Sequence, residues 1–223
     1  MESKCTKFCT INYRAEDKSV SEIINAIKIA ELENKKFFKI NPKKYFVDIV
    51  YSEKEYDKKA NLSGIEMQRG GCVHKNRMIL ISPEKRKLSF DFKPFFYHEI
   101  NHIFYNSLIG SYYPIWFSEG IATFLMKSYK IDIPKWKKYF QSIKQPEKYL
   151  FYRYQKEKYF KNINEFFPLS YLVSVYLNKN YGEKIIINLL KEFKKNPTKT
   201  NFDKLLIKYF KQTKKEIVQI SIN

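Results

Sequence analysis

Apolar positions recur with a period near two in the first third of the chain and near 3.6 over most of the remainder. Phe8 to Arg14 has strand character. Ser19-Val20-Ser21-Glu22 reads as a capping box that opens a helix to about Lys36, with Ile23, Ile24, Ile27, Ala30 and Leu32 on its buried side. Tyr45, Val47, Ile49 and Tyr51 alternate with Phe46, Asp48 and Val50, the pattern of a half-buried strand. Gly64, Gly70 and Gly71 mark Asn61 to Val73 as a flexible loop, and Arg77 to Ser82, centred on Met78-Ile79-Leu80-Ile81, predicts another strand.

From there the pattern turns helical. Asp91 suits a helix cap and Pro94 a first turn, and Phe95, Phe96, Tyr97, Ile100, Ile103 and Phe104 follow, so a buried helix is expected from about Pro94 to Ser107. Pro114 opens a second one, with Trp116, Phe117, Ile121, Phe124 and Leu125 apolar. Further helices are expected from Pro134, from Pro146 through the aromatic-rich stretch to Phe160, over Pro168 to Asn180, over Gly182 to Asn196 and over Asn201 to Lys211. A last one is capped by Thr213 and Glu216. No repeat or linker marks an independent module. The expected fold class is α+β: a single domain over 1–223, with an α+β upper part (1–107), a helical lower part (108–223) and a cleft between them.

A length of 223 residues is enough for one good core. No apolar run approaches a membrane span, and Met1-Glu2-Ser3-Lys4-Cys5 lacks the apolar stretch of a signal peptide, so a cytoplasmic protein is expected. Three cysteines argue against a disulfide framework; Cys5 and Cys9 could share a strand face or approach each other, and free thiols are the expectation. The net charge of +19 suggests an anionic partner. From Leu108 onward 22 basic residues face nine acidic ones, which places +13 of that charge in this half. Lys, Asn, Ile, Tyr and Phe are abundant together, however, as in an AT-rich coding sequence, and no recognition motif accompanies the lysines. Nucleic acid is therefore not the expected partner.

The helix from Pro94 carries two of the three histidines, in His98-Glu99-Ile100-Asn101-His102. Residues four apart lie one turn apart on one face, so both imidazoles can reach one metal ion. Glu99, next to the first, can lean over the open coordination position where water binds. A catalytic zinc usually takes three protein ligands. Glu119, in the helix from Pro114, is the only acidic residue between Glu99 and Asp132. A carboxylate in so apolar a segment needs a positive partner: a zinc ion, or one of the many lysines.

Together these residues resemble the gluzincin metallopeptidases, through His-Glu-x-x-His followed by Trp116-x-x-Glu119-Gly120-x-Ala122. They are similar in particular to M1-type aminopeptidases and related peptidase MA-like domains. Sixteen residues separate His102 from Glu119, slightly fewer than in M1 enzymes. The specific motifs cover about thirty residues, and a weaker likeness runs through Leu169-Ser170-Tyr171 and Val175-Tyr176-Leu177 to Tyr181-Gly182. The resemblance implies a zincin-like fold and one zinc per chain held by His98, His102 and Glu119. It also implies Glu99 as general base and a peptide or protein substrate. An oxyanion donor is also expected, and Tyr171, in the helix after the site, is the candidate.

The likeness has a gap. M1 aminopeptidases carry a Gly-x-Met-Glu-Asn segment whose glutamate binds the substrate's free amine. Here Arg69-Gly70-Gly71-Cys72-Val73-His74-Lys75-Asn76 has no acidic residue, which points to an endopeptidase. His74 and Cys72 read as loop residues without a catalytic role. Met78 to Ser82 is the candidate edge strand for an extended substrate, with an interior strand the alternative.

Overall fold

The computed structural model describes residues 2–60, 71–74, 76–85, 92–111, 113–127, 129–154, 157 and 161–223, excluding the side chains of Gly71, Cys72, His74 and Phe92. The loop expected over 61–70, the Asp91 cap and the side chains of Cys72 and His74 lie outside the described residues. The chain forms two compact units, Met1–Ser107 and Leu108–Asn223.

The first unit is a mixed sheet with helices. Its strands are β1 (Glu2–Cys5), β2 (Cys9–Tyr13), β3 (Tyr45–Val50), β4 (Gly71–His74) and β5 (Arg77–Ile81), in the order β1-β2-β3-β5-β4. The inner pairs β2–β3 and β3–β5 are parallel; β1 and β4 add antiparallel at the two ends. Helix α1 (Val20–Phe38) joins β2 to β3, and α2 (Glu53–Ala60) follows β3. Cys5 and Cys9, on the neighbouring strands β1 and β2, are free thiols, and burial pushes the Cys9 thiol well up.

The sheet decides one open reading and corrects two expectations. The stretch from Met78 is an inner strand, held by β3 on one side and β4 on the other, so it has no free edge. The outer strand is β4, in the stretch the glycines had marked as loop. Nor is β3 half-buried: Tyr45, Val47, Asp48, Ile49 and Val50 are all buried, and only Phe46 is exposed. Its second face is covered because α2 packs there, bringing Tyr56 and Ala60 onto Val50, Ile79 and Ile81.

Asp48 is buried on β3 and fully engaged. Asn12 donates to it at 2.7 Å, Lys59 of α2 lies at 3.2 Å, and Arg77 pairs with it from β5. Burial alone would raise its pKa, but these donors hold it below the ordinary carboxylate value.

The start of α1 is a third correction. Ser19 is helical and makes no side-chain cap. Asp17 does the work instead, accepting from Ser19 N at 2.9 Å and Ser19 Oγ at 2.6 Å, and from Ser82 Oγ at 2.8 Å. Leu32, expected inside, is 55 % exposed, whereas Ile23, Ile27, Ala30, Phe37 and Phe38 are buried. Their stripe faces α3 (Phe92–Ile109), where Phe38 stacks on Phe104 at 5.9 Å.

The second unit is helical: α4 (Ile115–Leu125), α5 (Ile133–Gln141), α6 (Ile163–Phe193), α7 (Lys199–Phe210) and α8 (Lys214–Ile222). Asp132 caps α5, Thr198 caps α7, and Thr213 with Glu216 forms the expected capping box on α8. Helix α6 starts five residues before Pro168 and breaks at Gly182, whose φ of 77° suits a residue without Cβ. The helix expected from Pro146 to Phe160 does not form over 146–154, although Glu157 is helical. Pro146–Tyr149 is a short 3-10 turn, and 150–154 is non-helical; 155–156 and 158–160 lie outside the described residues.

A backbone demand accounts for this. Pro114, at the N-cap of α4, offers no side-chain acceptor, so the first amides of α4 need other partners. Ile115 N donates to the carbonyl of Tyr152 and Trp116 N to that of Phe151, both at 3.1 Å. A helix through 151–152 would have committed those carbonyls to its own ladder. Among the described residues no helix is long and apolar enough to cross a membrane.

Candidate metal centre

Helix α3 presents His98 and His102 one turn apart. Their Nε2 atoms are 3.2 Å apart, and the rings meet edge to face with centroids 4.8 Å apart. A tetrahedral zinc with Zn–N bonds near 2.05 Å separates its ligands by roughly 3.3 Å, so the two nitrogens already stand at about the required spacing. His102 is buried at 7 % exposure, and His98 is half-buried.

Glu119 belongs to α4. His98, His102 and Glu119 each bring one ligand atom within 4.8 Å of the others. Two imidazoles and one carboxylate form a donor set that could hold a metal ion and leave one coordination position open. Glu99, adjacent to His98 on α3, is half-buried. Tyr171 lies half-buried on α6 with its ring against Tyr129, at a centroid distance of 5.2 Å.

The position of α3 within its unit is set by a buried amide pair. Asn101 Nδ2 donates to Asn34 Oδ1 at 2.9 Å; Asn34 Nδ2 donates to the carbonyls of Ala30 (3.0 Å) and Tyr97 (3.3 Å). Both residues are buried at 1 % exposure or less. The bonded residues on α3, Tyr97 and Asn101, are the immediate neighbours of His98 and His102. Asn34→Ala leaves the Asn101 amide buried without its acceptor and is expected to cost about 1–3 kcal/mol. The loss is read as a lower urea midpoint at unchanged slope. Sequence reading missed this pair because one asparagine on a helix carries no sign of where its partner lies.

Gly120 was also missed as a structural requirement. A Cβ there would stand 2.3 Å from Ser174 Oγ and 2.5 Å from the carbonyl oxygen of Ser170, so α4 and α6 meet at glycine contact beside Glu119. The small residues at 120, 170 and 174 were visible in the sequence; that they face one another was not.

The chain matches no family model and no curated protein.

Proposed function

We propose that the chain is a zinc-dependent metallopeptidase of gluzincin type, an endopeptidase that hydrolyses peptide bonds with a metal-activated water. The observation that carries the reading is the grouping of His98, His102 and Glu119, with a carboxylate next to the first histidine on the same helix. A zinc held there would lower the pKa of its water and polarise the substrate carbonyl. Glu99 then acts as general base, taking the water's proton and returning it to the leaving amine. Tyr171 is the proposed donor to the oxyanion. A purely structural metal site has no use for Glu99, which favours an enzyme over a metal-binding regulatory domain.

The endopeptidase assignment rests on the missing acidic residue over 69–76. An extended substrate would add to the sheet at β4, the outer strand beside β5, through main-chain hydrogen bonds.

The test is metal analysis of the purified chain beside a peptide-library cleavage assay. About one zinc per chain, with cleavage inside the peptides, is expected. Glu119→Ala should lower zinc affinity by more than ~100-fold, since losing a partner of a ligand alone costs roughly 10–100-fold. Unchanged affinity would remove Glu119 from the ligand set. Stoichiometric zinc without cleavage of any library would instead mark a metal-binding domain without activity.

A further inference from the structure

The second unit holds a pocket of about 480 Å³ with four cationic side chains in its wall: Lys148, Arg153, Lys199 and Lys214. Pockets of this size suit small molecules. Two tyrosines of the same wall hold three of these cations in place. Lys214 Nζ lies 4.8 Å from the centre of the Tyr152 ring and Lys199 Nζ lies 5.4 Å from it; the Arg153 guanidinium is 5.7 Å from the Tyr113 ring. Lys214 Nζ is further seated on the carbonyls of Glu147 (3.2 Å) and Leu150 (3.4 Å).

Lys148, Arg153 and Lys199 are exposed and Lys214 is half-buried, and all four converge on one concavity. Like charges converging on one concavity repel unless an anion joins them, and among the described residues Lys148, Arg153 and Lys199 make no ion pair with a carboxylate. The carboxylate at the edge, Asp203, is engaged by the Tyr152 hydroxyl. Burial and that bond push the Tyr152 phenol well up, so it adds no negative charge. Helix α7 also begins here, at Lys199, and a helix N-terminal end favours anions, whereas that of α8 is already met by the Glu216 carboxylate.

We propose that this pocket binds a small polyphosphate, either inorganic or the diphosphate of a nucleotide. Four cationic side chains and, among the described residues, no acidic one line the pocket. A monophosphate brings about two negative charges or fewer; a diphosphate brings about three. The site is separate from the proposed zinc chemistry and does not depend on it.

The test is calorimetric titration of the full chain with pyrophosphate and with ADP, at fixed ionic strength, with sulfate as reference. The double variant Arg153→Glu, Lys199→Glu is compared with Lys179→Glu, Lys184→Glu, which makes the same charge change at exposed positions of α6 outside the pocket. Wild type and the α6 variant should bind alike, and the pocket variant should lose roughly tenfold or more. Tighter binding of ADP than of pyrophosphate identifies a nucleotide; equal binding identifies the diphosphate alone. The proposal is overturned if neither probe outbinds sulfate, or if the pocket variant binds as wild type does. It is also overturned if the α6 variant loses as much as the pocket variant, because diffuse attraction to the net charge then suffices.

Discussion

Glu99→Gln is expected to slow peptide hydrolysis by about 10²–10⁴ while zinc content stays at the wild-type level. The amide keeps the size and hydrogen-bonding reach of the carboxylate but cannot accept a proton. The loss corresponds to about 3–5 kcal/mol of transition-state stabilisation. Glu99 is half-buried on α3 and is not one of the three grouped residues, so metal binding and catalysis should separate in this variant. Kinetics on the best library peptide, with metal analysis of the same sample, make the measurement. Full activity in the variant would refute Glu99 as the base; loss of zinc with activity would make it a ligand or a support of one.

Gly120→Ala should be the most damaging one-carbon change in α4. Alanine ordinarily gains roughly 1 kcal/mol over glycine inside a helix. Here the new methyl must clear Ser174 Oγ, which can rotate, and the Ser170 carbonyl oxygen 2.5 Å away, which cannot. Overpacking of this kind costs about 1–3 kcal/mol or more, so the two helices must part and a net loss is expected. At this chain length each kcal/mol lowers Tm by roughly 2–4 °C. Adding Ser174→Ala should recover only part of the loss, because the backbone contact remains. Zinc affinity offers a second readout, since Glu119 precedes the glycine. A neutral or stabilising Gly120→Ala would mean that α4 and α6 do not pack this closely.

The features legible in the sequence are those that one segment determines alone. The helical period places His98 and His102 on one face, proline and glycine punctuation located α3, α4 and α5, and Thr213 with Glu216 is a local signature that formed as read. The misreadings arise where a distant segment intervenes. Ser19 has the residue type of a cap, but Asp17, tied down by Ser82, takes that place. The strand β3 alternates like a half-exposed one until α2, which buries only Tyr56 and has little apolar pattern of its own, covers its polar side. The run after Pro146 is rich enough in apolar residues to suggest a helix, yet its carbonyls are needed elsewhere. The grouping of His98, His102 and Glu119 was legible for a related reason: metal-ligand chemistry is restricted to few residue types, whereas a lysine-lined pocket draws on a residue found throughout the chain.

The two carbonyls that receive the first amides of α4 have a consequence for how this chain can change over time. A side-chain cap ties a helix end to a particular residue type, and substitution there is penalised. A main-chain cap ties it to a conformation instead, one that many residue types can adopt. Positions 151 and 152 can therefore be replaced without removing the acceptors that Ile115 and Trp116 require. The helix that carries Glu119 can keep its starting point while the sequence that fixes it drifts.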